Sequence, residues 1–261
     1  MFRERDRQKC VALYERYYAG RKFHDTVYRE LIAKYLKPGS RLLDAGCGRY
    51  LRFSRELTGV ARVVGIDLER EFDTDNSAAP FAVRGDIGAL PFESGVFDMV
   101  IARSVVEHLT DPPRVFREFF RILRPGGHVV LITPNKFDYV SLIAAVTPYS
   151  FHRFIVSRIF QVPEDDVFPT AYRANTPAAM RRAMASAGLI ERERDTINHY
   201  PAYLMFSPVL FRLGVAYERL TARPSLRMLR GSILCAFEKP FGLGAANATA
   251  QGSAAARQGV L

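Results

Sequence analysis

The chain has 261 residues, of which 48% are apolar, and its 37 basic and 27 acidic side chains give a formal net charge of +10. This composition is typical of one globular domain or two small ones, and it excludes disorder over most of the length. We expect neither a secretory signal peptide, because residues 1–10 are rich in charge, nor a membrane span, which needs roughly 18 apolar residues. Cys10, Cys47 and Cys235 lack metal-ligand spacing, and they predict a reduced, cytoplasmic setting.

The positive charge is concentrated in the two flanks of the chain. Residues 1–43 carry 11 basic and 5 acidic side chains, and residues 136–261 carry 15 and 9. Residues 44–135 between them carry 11 and 13. Three interpretations stay open, which are a soluble surface, an anionic substrate and an acidic membrane surface.

The first half of the chain alternates helical and strand-like patterns. Helical spacing predicts one helix over residues 7–36, ended by Lys37-Pro38-Gly39. Apolar runs of strand length follow at 41–45, 62–66, 97–102 and 127–133, and helical patterns at 49–58 and 111–123 separate them. This alternation predicts an α/β fold, with a doubly wound, Rossmann-like and mostly parallel seven-stranded sheet that binds ligands beyond the carboxyl ends of its strands.

The pattern changes after Pro134. Aromatic residues accumulate up to Thr176, and we interpret this stretch as a lid insertion over the strand ends. Its aromatic residues are Phe137, Tyr139, Tyr149, Phe151, Phe154, Phe160, Phe168 and Tyr172. A helix is predicted from Asn175-Thr176-Pro177 to Gly188, and runs at 189–199 and 232–237 predict a closing antiparallel pair of strands.

These patterns predict five regions along the chain. They are an N-terminal helical cap (1–39), a cofactor-binding core (40–135), the lid insertion (136–175), the C-terminal part of the core with a helical insert (176–240) and a disordered tail (241–261). The insert contains an apolar, helix-like stretch at 203–220. That stretch could complete the lid, form a homodimer contact or rest on a membrane surface.

A glycine turn after the first strand carries the most specific signal. Gly46 and Gly48, on either side of Cys47 and after Ala45, let the backbone turn tightly and approach a ligand. A dinucleotide loop requires a third glycine where this chain has Leu51. Asp44 at the end of the strand would repel a diphosphate, and it suits a ligand with an amine and a sulfonium. The turn therefore favours S-adenosylmethionine over NAD.

Two further acids follow later strands. Asp67 ends the second strand, where a carboxylate can accept hydrogen bonds from both ribose hydroxyls. Asp86 could accept a hydrogen bond from the adenine amine, with Leu68 and Ile87 on the two faces of the ring. Each acid alone could be an ordinary strand-end residue. The three acids in order, each after a strand, make the cofactor prediction specific.

With these motifs the stretch from about 40 to 135 resembles the core of class I S-adenosylmethionine-dependent methyltransferases, in particular the small-molecule enzymes of ubiquinone and menaquinone biosynthesis. The resembling motifs are Asp44-Ala45-Gly46-Cys47-Gly48, Gly85-Asp86 through Leu90-Pro91-Phe92, Phe97-Asp98-Met99-Val100, Glu107-His108-Leu109 and Arg121-Ile122-Leu123-Arg124-Pro125-Gly126-Gly127. The resemblance implies that Ala102-Arg103-Ser104 supplies backbone contacts to the methionine end of the cofactor, and that Asp98 and the Pro125-Gly126-Gly127 turn serve the architecture. It is silent about the methyl acceptor.

Candidates for a catalytic base are His108, His152, His199 and the tyrosines, and His108 and His152 are the two assigned to catalysis. His108 follows the fourth strand on the substrate side, and His152 lies in the aromatic insertion. Either could act as a base if the acceptor must lose a proton, and either could instead be structural. His199 and Tyr200, at the end of a predicted strand, are expected to face the same rim.

Some ubiquinone-pathway O-methyltransferases resemble Ser104-Val105-Val106-Glu107-His108 but hold a divalent metal there. Ser104 replaces one of the carboxylate ligands, so we predict no metal in this chain. We predict methylation of a small, hydrophobic or aromatic acceptor, most simply at oxygen. N- or C-methylation of a small molecule or lipid, methylation of nucleic acid or protein, and a non-catalytic cofactor-binding role are the alternatives. The residues after the fourth strand do not resemble those of nucleic-acid amino methyltransferases, so no nucleic-acid partner is expected.

Overall fold

The computed structural model describes residues 4–68, 71–72, 81–146 and 168–242. Its strands are β1 (Arg41–Ala45), β2 (Arg62–Asp67), β3 (Phe81–Arg84), β4 (Phe97–Arg103), β5 (Leu123–Pro134), β6 (Ile190–Ile197) and β7 (Ser232–Glu238). They form one seven-stranded sheet in the order β3-β2-β1-β4-β5-β7-β6. The first five strands are parallel, and β7 is antiparallel to both β5 and β6. This arrangement confirms the predicted fold class.

Helices cover both faces of the sheet. They are α1 (Glu4–Tyr18), α2 (His24–Tyr35), α3 (Arg52–Leu57), α4 (Pro112–Ile122), α5 (Tyr139–Val146), α6 (Pro177–Ser186) and α7 (Pro208–Thr221), with short 3₁₀ helices at Val106–His108, Ala202–Leu204 and Pro224–Leu229. No helix in the described part of the chain is long and apolar enough to cross a membrane.

Two apolar layers explain why the sheet is covered on both sides. On one face, buried side chains of α4 and α6, such as Phe116 and Met180, pack with the alternate strand residues Leu43 and Val100. On the other face, α2 and α3 pack against the remaining strand residues. Because successive strand side chains point to opposite faces, continuous apolar strands serve both layers.

The N-terminal segment is not the single helix predicted over 7–36. The chain turns at Gly20, whose φ of +72° lies in the left-handed region, and α2 starts again at His24. Apolar spacing persists on both sides of this turn, so the periodicity alone did not reveal the break. As a result α1 packs on α7, while α2 packs on the sheet.

The two helices predicted to begin near Asp111 and Thr176 are confirmed, and each starts with a side-chain cap. The Asp111 carboxylate accepts the backbone N–H of Arg114 at 3.2 Å, and the Thr176 hydroxyl accepts that of Ala179 at 3.2 Å. Each cap precedes a proline in the first helical turn. The antiparallel pair predicted near the C-terminus is also confirmed as β6 and β7.

Other boundaries differ from the prediction. The helix predicted at 49–58 is only Arg52–Leu57, because Leu51 before it has a left-handed φ of +50°. β3 is a short strand absent from the four apolar runs, and β5 begins at Leu123 and continues through the predicted Pro125-Gly126-Gly127 turn. The predicted disordered tail lies outside the described residues after residue 242.

Candidate functional site

The strand order runs from β1 to β2 and β3 on one side and from β1 to β4 and β5 on the other. The glycine turn follows β1, at this switch in the order of the strands. Gly46 and Gly48 have φ of +78° and +65°, so both use backbone that favours glycine. A Cβ on Gly46 would lie 2.3 Å from Cγ2 of Val105, whereas nothing approaches a Cβ on Gly48 within 4 Å. The turn is therefore packed against the protein on one side and open on the other.

Asp67 holds this turn in place. Its Oδ2 accepts the backbone N–H of Gly48 at 2.8 Å, and the N–H of Gly46 donates to the carbonyl of Ile66 at 2.8 Å. Since a carboxylate oxygen can accept more than one hydrogen bond, this contact is compatible with the predicted ribose role of Asp67. That role stays a prediction.

Asp44 is buried next to the turn. Its Oδ2 accepts the Ser54 hydroxyl at 2.6 Å, and its side chain is almost inaccessible to solvent. Burial raises the pKa of Asp44 to about 6, and the nearby Asp67 adds to the increase, although Ser54 and Arg103 oppose it. A cationic ligand beside Asp44 would stabilise its ionised form.

Cofactor affinity should therefore depend on pH. Asp44 takes up a proton as the pH falls through about 6 and then no longer attracts a cationic amine. We expect the Kd for S-adenosylhomocysteine to rise about ten-fold between pH 7.5 and pH 5, measured by titration calorimetry. Asp44→Asn should bind weakly at both pH values, with most of the pH dependence removed. An unchanged pH dependence in this variant would exclude Asp44 as its source.

The adenine side of the predicted site is exposed. Leu68, at the end of β2, is 70% exposed, and Ile87 is half-buried. Asp86 already has partners, since Oδ1 accepts the N–H of Gly88 at 2.7 Å and Oδ2 accepts Nη2 of Arg114 at 3.1 Å. The predicted adenine contact of Asp86 would share the carboxylate with Arg114, a residue on α4 that sequence reasoning missed.

Arg103 connects the end of β4 to the N-terminal helices. Its guanidinium donates two hydrogen bonds to Asp25 of α2, at 3.0 and 3.2 Å, and lies over the ring of Phe53 at 5.6 Å. The side chain thus links α2 to α3. The cofactor contacts that the resemblance implies for this segment would come from the backbone. Asp25 had no signal in the sequence, because 78 residues separate it from Arg103.

A cavity of about 440 Å³ lies beyond the carboxyl ends of β4 and β5. Aromatic side chains from several segments line it: Tyr139, Phe168, Tyr172, Tyr200, Tyr203 and Tyr217. Three of these belong to the predicted lid, whereas Phe137 is exposed and does not line the cavity. The lid residues Tyr149, Phe151, Phe154 and Phe160, and the candidate base His152, lie outside the described residues.

A chain of hydrogen bonds supports one wall of this cavity. The Asn175 amide donates to the Thr133 hydroxyl at 2.7 Å, and that hydroxyl donates to Oε2 of Glu107 at 2.8 Å. All three side chains are buried. Burial raises the pKa of Glu107 above its usual range. The sequence motif around Glu107 gave no indication of this network.

His108 lies in the cavity wall next to Glu107. Its Nδ1 is 2.8 Å from the carbonyl oxygen of Pro169, and its Nε2 is 3.9 Å from Oε1 of Glu107. A carbonyl only accepts hydrogen bonds, so Nδ1 carries the proton and the lone pair of neutral His108 is on Nε2. This tautomer can accept a proton, and the ionised form of Glu107 would stabilise the imidazolium that forms.

His199 and Tyr200 follow β6 and also line the cavity, as expected. The His199 ring pairs with the Ser232 hydroxyl at 2.7 Å and packs edge-on against His24 at 4.8 Å. Burial lowers the pKa of His199 to about 4. A base this weak is poorly suited to removing a proton from an alcohol, so His108 is the better candidate of these two histidines.

No group of three or more potential metal ligands occurs among the described side chains. Ser104, at the position where the resembling metal-dependent enzymes have a carboxylate, has a left-handed φ of +55° and lines the cavity. The absence of a metal stays a prediction.

Comparison with known proteins agrees with this geometry. Residues 43–131 match the family described as "Methyltransferase domain". The ubiquinone biosynthesis O-methyltransferase of Ralstonia nicotianae is 33% identical over 116 residues, which cover 41% of this chain and 49% of that protein. The ubiquinone/menaquinone biosynthesis C-methyltransferase of Edwardsiella ictaluri is 28% identical over 121 residues, 44% of this chain and 47% of that protein. The chain thus spans less than half the length of these curated relatives.

The fold extends beyond the matched segment. Geranyl diphosphate C-methyltransferase from Streptomyces coelicolor, solved with S-adenosyl-L-homocysteine, superposes with a TM-score of 0.54 over 89% of this chain and 83% of that one. At 19% identity this likeness concerns the fold alone. The glycine turn, the acids at the carboxyl ends of β1 and β2 and after β3, and the space beside Gly48 fit S-adenosylmethionine as the cofactor. Residues 43–131 therefore form a methyltransferase domain of the class I, S-adenosylmethionine-dependent type, similar to that of the ubiquinone biosynthesis enzymes.

Proposed function

We propose that this protein transfers a methyl group from S-adenosylmethionine to a hydroxyl group of a small, aromatic or otherwise apolar acceptor bound in the tyrosine-lined cavity. The main support is the tautomer of His108, a residue that lines that cavity and whose Nε2 can accept a proton. The bound cofactor would supply a sulfonium-activated methyl group. The protein would orient the acceptor, exclude water and receive the hydroxyl proton.

The size of the cavity supports a small acceptor. About 440 Å³ lies within the range of pockets that bury small molecules, and six aromatic rings supply flat apolar walls. Polar groups at the wall, including Asp138 and the Glu107–His108 pair, could orient a hydroxyl or carbonyl of the acceptor. Burial raises the pKa of Asp138 to about 6, so this carboxyl group could either donate or accept a hydrogen bond near neutral pH.

Methylation at carbon or nitrogen is the main alternative. The similar proteins include a C-methyltransferase as well as an O-methyltransferase, so the family does not determine the acceptor atom. A nucleic-acid or protein substrate is less compatible with a cavity of this volume. For the setting, we infer a reducing compartment such as the cytoplasm, which is supported by three free cysteines.

The proposal is tested by transfer of an isotopically labelled methyl group from S-adenosylmethionine to matched aromatic acceptors. The panel would compare a phenol, an aniline and an activated ring carbon on one scaffold, with products identified by mass spectrometry. We expect label on the phenol oxygen. Label on nitrogen or carbon instead would replace the proposed acceptor atom. Lack of S-adenosylhomocysteine binding at high micromolar concentration would exclude methyl transfer altogether.

A further inference from the structure

The outer face of α7 carries an apolar stripe. Phe211 and Val215 point inward and are buried against α1, whereas Val209, Leu213 and Leu220 are 64%, 60% and 46% exposed. The exposed residues follow one another at intervals of four and seven, so they lie on a single face of the helix, and the exposed Ala216 completes the row. Single aliphatic side chains on a surface are ordinary, but a continuous row along one helix marks an interaction surface.

Positive charge borders this stripe. Arg212 and Arg219 each lie three residues after a member of the row, Arg223 precedes the adjoining 3₁₀ helix, and Arg227 lies on it. All four side chains are exposed, and no carboxylate among the described residues forms a salt bridge with any of them. The one acid of α7, Glu218, faces inward and accepts hydrogen bonds from Tyr18 and Arg21.

The N-terminal flank adds to the same surface. α1 packs alongside α7, and the guanidinium groups of Arg16 and Arg219 lie over the ring of Tyr17 at 5.9 and 5.1 Å. Arg16 of the N-terminal flank and Arg219 of the C-terminal flank therefore lie on the same surface.

We propose that α7 and the 3₁₀ helix Pro224–Leu229 bind the surface of an anionic phospholipid bilayer. Such a surface offers both complements at once, since negative headgroups attract the four arginines and the upper acyl region accepts the aliphatic row. In a two-fold contact with a second copy, the same surface would bring arginines against arginines. Single-stranded nucleic acid would pair with the arginines, but its bases stack on aromatic rings, which the row lacks.

The helix that carries this surface also lines the acceptor cavity. Gly214 and Tyr217, on other faces of α7, line the same cavity that we assign to the acceptor. A bilayer bound to the outer face would lie one helix diameter from that cavity. The membrane proposal does not depend on methyl transfer, because binding can be measured without cofactor or acceptor.

The test is co-sedimentation of the full chain with vesicles of phosphatidylcholine, alone or mixed with phosphatidylglycerol. We expect binding to the mixed vesicles only, weakened by high salt. Arg212→Gln with Arg219→Gln should lower the affinity about 25-fold, since each arginine near such a surface contributes a factor of about five. Leu213→Ser should lower it about ten-fold.

Matched controls separate these effects from general charge or exposure. Arg117→Gln on the exposed side of α4 and Val60→Ser before β2 change the same residue types elsewhere, and both should bind as the unchanged chain does. Thermal unfolding of every variant checks that the fold is intact. Equal binding to neutral vesicles, equal loss in the controls or no binding at all would overturn the proposal. So would light scattering that shows a dimer disrupted by Leu213→Ser, or preferential binding to single-stranded RNA.

Discussion

Replacing Asp67 with alanine is expected to raise the Kd for S-adenosylhomocysteine about 100-fold or more. Two hydrogen bonds from ribose hydroxyls to a carboxylate contribute about 3 kcal/mol together, and that free energy corresponds to a factor of about 100 or more. The variant also loses the acceptor for the N–H of Gly48, so the glycine turn becomes less ordered. Titration calorimetry at neutral pH measures both the affinity and the enthalpy of binding.

Two further variants make this result specific. Asp67→Asn keeps an acceptor for Gly48 but removes the negative charge, and we expect an intermediate loss. Asp195→Asn changes an exposed aspartate on β6, at the far edge of the sheet, and should leave the Kd unchanged. A Kd for Asp67→Ala within three-fold of the unchanged chain would contradict the assignment of Asp67 to the ribose.

Replacing His108 with alanine is expected to lower kcat by roughly 100- to 10,000-fold, the range of a lost general base. The Kd for S-adenosylhomocysteine should stay the same, because the imidazole lies in the acceptor cavity. Added imidazole should restore part of the rate, since it can occupy the space of the removed ring and take the proton. Steady-state methyl transfer to the phenol that the panel identifies gives kcat and KM separately.

His128→Asn is the matched control. His128 lies in the middle of β5, stacked on Tyr35 at 4.4 Å, and does not line the acceptor cavity. Its substitution should leave kcat within a small factor. If His108→Ala kept most of its activity, or lost it together with its thermal stability and without imidazole rescue, His108 would be a structural residue rather than a base.

The parallel half of the sheet was predictable because its signals are local. Strands such as Arg41–Ala45 contain short buried apolar runs, and Asp111 and Thr176 mark helix starts within three residues of the groups they cap. The break at Gly20 was not predictable in this way, because the same apolar period continues on both sides of it. β3 was missed because four residues are too few to establish a pattern.

The candidate site also contains residues with a local signal in the sequence and residues without one. Asp44 and Asp67 lie at the carboxyl ends of β1 and β2, and Asp86 follows β3, so their position at one edge of the sheet follows from topology. The acceptor cavity is built from residues far apart in the chain. Ser232 reaches His199 there across 33 residues, and outside the cavity Arg103 at the end of β4 reaches Asp25 across 78. Neither pairing leaves a periodic or compositional trace in the sequence. For the same reason the Glu107–Thr133–Asn175 network could not be predicted from the sequence.

The place of β7 in the sheet has a consequence for biosynthesis. β7 is the last of the described strands in sequence, yet it lies between β5 and β6, so β6 cannot join the sheet until β7 has left the ribosome. The turn and acids assigned to the cofactor precede residue 104 and can assemble on the nascent chain. The cavity walls contributed by His199, Tyr200 and Ser232 form only after β7 has joined the sheet. The cofactor side of the sheet can therefore form early in translation, whereas the acceptor cavity is complete only after Glu238 has been synthesised.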